Sequence, residues 1–261
     1  MDNISEEYNS LPNKTGGTFS FITYLNTNKN RYNNILTIEE TRVRLKNLKN
    51  DYINANYIHF NDKKFISTQA PLPYTFRDFW KMVCDQESTF ILMLSNFTEN
   101  GKTKVDKYWS DTPIEYKFQA GETLDNSEIN ITIELIKEEE MEIGILRIFT
   151  LLNKSNLRNI YHFQYTKWSD HQEPSDSEHI NKLIEYIQKY STNVPIIHCS
   201  AGIGRSGTFI ACNILKEYPD TNILRLVEHL RTQRVKMVQT EEQYKFLYSY
   251  SKIILFLLNK N

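Results

Sequence analysis

A short glycine-rich motif, HCSAGIGRSGT at residues 198–208, constrains this 261-residue chain more than any other feature. The apolar run VPII at residues 194–197 precedes it, and the apolar run FIACNIL at residues 209–215 follows it. This order predicts a buried strand, a tight loop and then a helix that begins near Arg205.

The loop has the composition of an anion-binding cup. Glycines let backbone N–H groups turn inward, and the following helix N-terminus adds unpaired donors and the positive end of a dipole. Cys199 stands at the rim, where the same donors would stabilise a thiolate. Arg205 can grip two phosphate oxygens in a planar fork, and Ser206 can donate its hydroxyl to the thiolate. The motif therefore predicts attack of the Cys199 sulfur on phosphorus, giving a phosphocysteine intermediate.

Two other interpretations of the loop are weaker. A cysteine after a strand is often a small buried core residue, and glycine-rich strand-to-helix loops also bind nucleotides. Agreement along the whole loop, with a strand before it and a helix after it, favours the phosphate-binding interpretation.

The rest of the chain predicts a single α/β domain. Alternating apolar residues between positions 65 and 168 are typical of strands, and residues 180, 183, 184 and 187 repeat with the period of a helix. Helices at both ends of a strand-rich middle indicate a large mixed, twisted sheet flanked by helices. Residues 1–28 are predicted to form an N-terminal segment, partly helical or mobile, and residues 29–261 the catalytic domain.

Composition limits the setting in which the chain works. The net charge is −1 and the pI about 6.6, so no global field favours a stable complex with nucleic acid. Three scattered cysteines form no disulfide framework and indicate a reducing compartment. The N-terminus lacks the pattern of a secretory signal, and the apolar run at residues 253–258 is too short to span a bilayer. We expect a cytoplasmic monomer without a membrane span.

The motif at residues 198–208 resembles the signature of the tyrosine-specific protein tyrosine phosphatases. Other segments resemble that family in its order: NRY (30–32), DYINAN (51–56), FISTQAPLPYT (65–75), FW (79–80), KVDKYW (104–109), WSD (168–170) and QTEEQ (239–243). The resemblance implies the same fold and hydrolysis of phosphotyrosine in proteins or peptides. It implies no cofactor, and no His/Cys cluster has the spacing of metal ligands.

The resemblance also assigns roles to residues outside the loop. Asp170 would be the general acid that protonates the departing phenoxide and later takes a proton from water. Gln239 would position that water, and Lys104 would hold the closed acid loop through Asp170. Tyr32 would form the aromatic wall that sets the depth of the pocket. The remaining substrate-binding residues are expected to be Asn34, Ser200, Ala201, Gly202, Ile203, Gly204 and Gln243.

Some of these assignments have a purely structural alternative. Lys104 could be a solvated strand lysine, and Asp170 could be an ordinary surface carboxylate. Thr240 and Gln243 have the spacing of a capping box that opens a helix, so Gln243 could serve the helix alone.

Three positions depart from the family pattern. Ser169 stands where the family has proline, which should widen the open ensemble of the acid loop and slow its closure. Gln172 stands where glycine is common. Asn34 replaces an aspartate and loses charge-assisted strength as an anchor for peptide backbone. These departures leave two alternatives open: a phosphatase for RNA 5′-phosphates or phosphoinositides, and a weakly active module that binds phosphotyrosine.

Overall fold

The computed structural model describes residues 2–13, 16–168, 174 and 176–258. The helices within these residues are α1 (Asp2–Ser10), α2 (Phe21–Leu25), α3 (Phe76–Asp85), α4 (Ser177–Tyr190), α5 (Gly204–Glu217), α6 (Ile223–Gln233) and α7 (Glu241–Leu258). The strands are β1 (Arg42–Arg44), β2 (Tyr52–Phe60), β3 (Lys63–Thr68), β4 (Phe90–Met93), β5 (Thr98–Glu99), β6 (Lys102–Thr103), β7 (Ile114–Phe118), β8 (Ile129–Met141), β9 (Gly144–Asn153), β10 (Asn156–Tyr165) and β11 (Ile196–His198).

Most of the strands join one mixed sheet. In the described part of the chain, nine strands lie in the order β1-β2-β3-β11-β4-β10-β9-β8-β7, and β5 pairs separately with β6. The central neighbours β3, β11, β4 and β10 run parallel, while the outer pairs are antiparallel. The predicted α/β fold with a large mixed sheet is confirmed.

The sheet separates two hydrophobic cores. In β11, Ile196 packs into the core that contains α3, whereas Ile197 packs into the core under α4, α5, α6 and α7. Adjacent residues face opposite sides because strand side chains alternate. The short β11 is thus fully buried on both faces, as its continuous apolar sequence predicts. Its carboxyl end, where Cys199 follows, lies at the middle of the parallel region.

One long strand, β2, was not predicted from the sequence. β2 carries Asn54 and Asn56 on the same face, both buried, where a simple alternating pattern would have apolar residues. Hydrogen bonds satisfy both amides, so their burial costs little. The polar residues obscured the strand because their amides bind neighbouring segments instead of packing in an apolar core.

The N-terminal residues pack against the C-terminal helix. The Glu7 carboxylate in α1 accepts hydrogen bonds from the hydroxyls of Tyr244 and Tyr248 in α7. Leu11 is buried in the core under α5 and α7. The division of the chain at residue 28 stays a prediction. Among the described helices, none is both long and apolar enough to cross a membrane.

Candidate active site

Arg234 fixes the direction of the peptide groups in the loop after β11. Its buried guanidinium donates from Nε to the carbonyl of Gly202 at 2.7 Å and from Nη2 to the carbonyl of Ala201 at 3.0 Å. The other carbonyls of residues 198–203 also accept from protein donors: His198 from Leu94 N–H (2.8 Å), Cys199 from His198 Nδ1 (3.0 Å), Ser200 from Ala70 N–H (2.9 Å), and Ile203 from the N–H groups of Gly207 and Val238 (both 3.1 Å). Because the carbonyls are bound outside the cup, the opposite N–H edges of these peptides can line it.

Arg234 also ties this loop to β2. Its Nη1 and Nη2 atoms donate to the amide oxygens of Asn56 and Asn54, each at 2.8 Å. Burial lowers the pKa of Arg234 to about 10, so the guanidinium stays charged at neutral pH. Sequence analysis missed Arg234, since no local pattern marks a single arginine between two helices.

Gly202 is required by the close approach of β3. Its φ of +67° lies in the left-handed region, and a Cβ there would stand 2.1 Å from the carbonyl oxygen of Thr68. The Ser67 hydroxyl donates to the Gly202 carbonyl at 3.0 Å and adds a second link between loop and strand. Any side chain at this position would push the cup away from the sheet.

The Arg205 side chain is held in place by acceptors on neighbouring segments. Nη1 donates to the Leu94 carbonyl at 2.9 Å and to the Glu99 carboxylate at 2.8 Å, and Nη2 donates to the other Glu99 oxygen at 2.5 Å. The side chains of Arg205 and Glu99 are 4% and 9% exposed, so the pair is shielded from water. A guanidinium held this way presents a fixed fork to an incoming anion.

Glu99 was not singled out by the sequence analysis, although a signal exists. Asn100 and Gly101 form the two-residue turn between β5 and β6, with φ of +50° and +72°. An Asn-Gly pair is a strong short-range predictor of a hairpin of this type. The turn brings Glu99 back beside Arg205, a placement that only the folded sheet determines.

Most of the predicted site residues line one pocket. A cavity of about 190 Å³ is lined by Tyr32, Asn34, Ile35, Lys104, Cys199, Ser200, Ala201, Ile203, Gly204, Arg205, Lys236, Gln239 and Gln243. Of the remaining predicted residues, Gly202 packs on β3 and Ser206 is buried in the first turn of α5. Asp170 lies outside the described residues, as do Ser169 and Gln172. Sequence analysis missed Ile35 and Lys236.

The lining residues give the pocket a positive character. Lys104, Arg205 and Lys236 are cationic, and within the described chain no aspartate or glutamate is part of the lining. Cys199 lines this cavity and is 6% exposed. The Ser206 hydroxyl oxygen is buried without a hydrogen-bond partner among the described residues, so its proton is available to a neighbouring anion.

Tyr32 stands against the loop that carries the cysteine. Its hydroxyl lies 2.8 Å from the Ser200 hydroxyl, which in turn donates to the Lys104 carbonyl at 2.8 Å. The backbone just after Tyr32 is held by β2, because the Asn54 side-chain amide donates to the Ile35 carbonyl at 2.8 Å. The aromatic wall and the anion cup are therefore positioned by the same strand, β2.

Gln239 and Gln243 cover the start of α5. A Cβ on Gly204 would lie 3.0 Å from Gln239 Oε1 and 3.1 Å from Gln243 Oε1. The predicted capping box is present, since Gln243 Oε1 accepts from the Thr240 N–H at 3.3 Å and the Thr240 hydroxyl accepts from the Gln243 N–H at 3.2 Å. Gln243 thus caps α7 and lines the pocket as well.

A buried polar chain lies behind the cysteine. The Tyr108 hydroxyl lies 2.7 Å from Nε2 of both His162 and His198. Burial lowers the pKa of His198 to about 4 and holds the pKa of His162 well below its usual range. Both imidazoles are therefore neutral at physiological pH.

The described residues contain no cluster of three or more His, Cys, Asp or Glu side chains that could hold a metal ion. The polar groups that line the pocket are instead a thiol, a guanidinium, two ammonium groups, side-chain amides and hydroxyls.

Comparison with known proteins identifies relatives over most of the chain. The family model described as protein-tyrosine phosphatase matches residues 26–251. The chain is 42% identical over 212 residues to tyrosine-protein phosphatase 2 of Dictyostelium discoideum, covering 76% of this chain and 53% of that protein. It is 37% identical over 235 residues to tyrosine-protein phosphatase non-receptor type 20 of Rattus norvegicus, covering 85% and 53%. The chain thus spans about half the length of these curated relatives.

Solved structures with the same fold include two of PTPN18. One addresses the structural basis of the PTPN18 fingerprint on distinct HER2 tyrosine phosphorylation sites, with a TM-score of 0.78, 31% identity, and coverage of 89% of this chain and 85% of that one. The other is PTPN18 in complex with HER2-pY1248 phosphopeptides, with a TM-score of 0.78, 32% identity, and coverage of 88% and 89%.

Proposed function

Because the chain belongs to the protein-tyrosine phosphatase family, we propose that it hydrolyses phosphotyrosine in proteins or peptides through a phosphocysteine on Cys199. The observation that carries the proposal is the cup itself: Cys199 lies in the pocket lining, Arg205 is held beside it, and the loop carbonyls are bound outward. The PTPN18 structure with phosphotyrosine peptides supports the same substrate class. We further propose that the chain acts as a monomer in the cytoplasm.

In the first step, the Cys199 thiolate attacks phosphorus, the phosphorus–oxygen bond to the phenol breaks, and a phosphorus–sulfur bond forms. The fork of Arg205 and the inward N–H groups bind the equatorial oxygens, where charge is spread in the transition state. Asp170 donates the proton that the leaving phenoxide needs, because a phenol has a pKa near 10.

In the second step, water attacks the phosphocysteine. Gln239 orients that water and Asp170 takes its proton, while the phosphorus–sulfur bond breaks and the thiolate re-forms. Ser206 supports the departing thiolate with its hydroxyl, which has no competing partner among the described residues. Tyr32 packs on the phenyl ring and, with Asn34 and Lys104, forms the entrance.

The decisive experiment measures initial rates of the purified chain on phosphotyrosine peptides, phosphoserine peptides, phosphoinositides and 5′-phosphorylated RNA. We expect turnover of the phosphotyrosine peptides, loss of turnover in Cys199→Ser, and retained phosphate-site binding in that variant. Cys84→Ser is the matched control, because Cys84 belongs to α3 and lies in the core on the other side of the sheet. A preference for RNA or phosphoinositide would contradict the proposal, and so would tight phosphopeptide binding without turnover.

A further inference from the structure

The N-terminal segment contacts the short loop that carries Gln239. The Tyr8 hydroxyl in α1 donates a hydrogen bond to the backbone carbonyl of Gln239. Five residues later, the carbonyl of Asn13 accepts from the N–H of Lys236 at 2.9 Å. Residues near position 10 therefore hold both ends of the stretch 236–239, although more than 220 positions separate them in sequence.

The buried Arg231 side chain bridges the N-terminal segment and the stretch 236–239. Its Nη1 donates to the carbonyls of Leu11 at 3.3 Å and Pro12 at 2.9 Å, while Nε and Nη2 donate to the carbonyls of Met237 at 3.0 Å and Val238 at 2.9 Å. Arg231 is 3% exposed, so these bonds are made away from water. A guanidinium has five donors in a rigid planar arrangement, which makes it a fixed bridge between two backbones.

The loop that is held in this way has an unfavourable backbone. Lys236 and Val238 have φ of +56° and +59°, a region that L-residues rarely adopt and that is least favourable for a β-branched side chain. Such conformations persist only where surrounding contacts over-determine them, and they cluster at functional positions. The N–H of Val238 also bonds to the Ile203 carbonyl at 3.1 Å, which attaches the loop to the phosphate cup.

We propose that Tyr8 positions Gln239 for hydrolysis of the phosphocysteine, together with the Leu11 and Pro12 carbonyls bound by Arg231 and the Asn13 carbonyl bound by the Lys236 N–H. The inference rests on the proposed function. Tyr8 is a positioning residue, because its hydroxyl contacts the Gln239 backbone and not the cavity. Other side-chain hydrogen bonds link the segment to α7, away from the cavity: Ser5 donates to Glu241, and Tyr244 and Tyr248 donate to Glu7. Formation of the phosphocysteine should therefore proceed without it, whereas its breakdown should slow.

The test compares Tyr8→Phe with Tyr248→Phe. Each substitution deletes one hydroxyl that links α1 to the C-terminal part, but only the Tyr8 hydroxyl contacts the Gln239 backbone. The full chain would be mixed with p-nitrophenyl phosphate and acid-quenched, and the decay of trapped phosphocysteine would be followed. In parallel, the products would be analysed for partition of the phosphoryl group between water and added ethylene glycol. That ratio reports on the second step whichever step limits turnover.

We expect Tyr8→Phe to slow phosphocysteine decay and to raise the glycol share relative to water by about fivefold, the equivalent of one ordinary hydrogen bond. Tyr248→Phe should leave both readouts unchanged, and thermal melts should show both variants folded. Wild-type decay and partition in a folded Tyr8→Phe protein would overturn the inference, and so would equal changes in the two variants. Absence of both trapped phosphocysteine and glycol phosphate in the wild type would instead refute the proposed function.

Discussion

The guanidinium of Arg205 meets the carboxylate of Glu99 in a two-point contact, with Nη1 2.8 Å from Oε1 and Nη2 2.5 Å from Oε2. The contact fixes the plane of the guanidinium and the direction in which its donors point. It also compensates the charge of an arginine that is 3% exposed. The pair therefore readies Arg205 for phosphate before any substrate arrives.

Glu99→Gln should lower kcat/KM for a phosphotyrosine peptide by about ten- to a hundredfold, because charge-assisted hydrogen bonds contribute roughly 1.5–3 kcal/mol. The effect should appear in both KM and kcat, since Arg205 binds phosphate in the ground state and in the transition state. Steady-state kinetics measures it. Glu134→Gln, an exposed position on β8, is the control and should leave kcat/KM unchanged. A Glu99→Gln enzyme with normal kinetics would show that Arg205 needs no partner.

Glycines 202 and 204 should respond to alanine in opposite ways. Gly202→Ala should prevent folding or strongly destabilise the chain, because the added Cβ would meet the Thr68 backbone at 2.1 Å. Gly204→Ala should fold, because the φ of Gly204 is not positive and the atoms nearest an added Cβ belong to side chains. Its Cβ would lie 3.0 Å from Gln239 Oε1, 3.1 Å from Gln243 Oε1 and 3.2 Å from Gln239 Cβ, so both glutamines would have to shift. We therefore expect a normal melting temperature with slower phosphocysteine decay.

Melting curves and the acid-quench assay test both expectations. Gly121→Ala is the control, because no atom lies within 4 Å of the Cβ position and its φ is not positive. A stable Gly202→Ala protein would contradict the close approach of this loop to β3. Rapid decay in Gly204→Ala would mean that the glutamines can move without effect.

Local features of the site could be predicted from the sequence, whereas contacts between distant segments could not. The order of strand, glycine loop and helix was predictable from residues 194–215, because local periodicity and glycine spacing determine it. The pocket residues near the motif were likewise predicted. Arg234 and Glu99 were not, because their roles depend on contacts between segments that only the sheet brings together. β2 was missed for the same reason: the buried Asn54 and Asn56 are explained by Arg234, which the sequence does not place.

Stability should fall in acid because His198 is buried as the neutral imidazole. Its folded-state pKa is about 4, below the roughly 6.5 of an exposed histidine. Between these two pKa values His198 is protonated in the unfolded chain but neutral in the folded chain. The contribution of neutral His198 to the free energy of unfolding is fully present above about pH 6.5. It is lost progressively as the pH falls toward 4, amounting to about 3 kcal/mol in all.

Urea unfolding between pH 7.5 and 4.5 measures this dependence as a fall in the free energy of unfolding. His198→Asn should be less stable at neutral pH, yet its stability should change less over the same interval. His229→Gln, at an exposed position on α6, should keep the wild-type slope. An unchanged slope in His198→Asn would assign the acid sensitivity to His162 or to carboxylates.

Lys236 should favour substrates with an acidic group next to the phosphotyrosine. Lys236 lines the pocket and forms no ion pair with the described residues. The described lining contains no acidic side chain that would compete with an anionic substrate for the Lys236 ammonium group. Lys236→Gly should reduce the kcat/KM ratio of acidic over neutral peptides by about fivefold, the size of a partly exposed ion pair. Lys46→Gly, a cation outside this lining, is the control. An unchanged ratio would remove Lys236 from substrate recognition.

The same substitution should not weaken the fold. Lys236 has φ of +56°, where glycine is more easily accommodated, so Lys236→Gly should keep or raise the melting temperature. If Lys236→Gly loses the preference for acidic peptides but keeps its melting temperature, the loss is due to the missing charge and not to a damaged loop.

Asp170 is expected to matter in proportion to the pKa of the leaving group. With a phosphotyrosine peptide, Asp170→Asn should lower kcat by roughly 10²–10⁴-fold, the usual contribution of general acid catalysis. With p-nitrophenyl phosphate the loss should be much smaller, because that phenolate departs without a proton. Single-turnover rates on the two substrates measure the difference. His171→Gln, the adjacent titratable residue, should leave both rates close to wild type.

Ser169→Pro tests the loop that carries this acid. By restricting φ before Asp170, proline should lower the entropy cost of closure and raise kcat on the peptide if closure limits the wild type. The gain should vanish in the Asp170→Asn background, since a better-closed loop without an acid has nothing to donate. An Asp170→Asn penalty that is small and equal for both leaving groups would mean that another group donates the proton, or that the protein binds phosphotyrosine without efficiently releasing it.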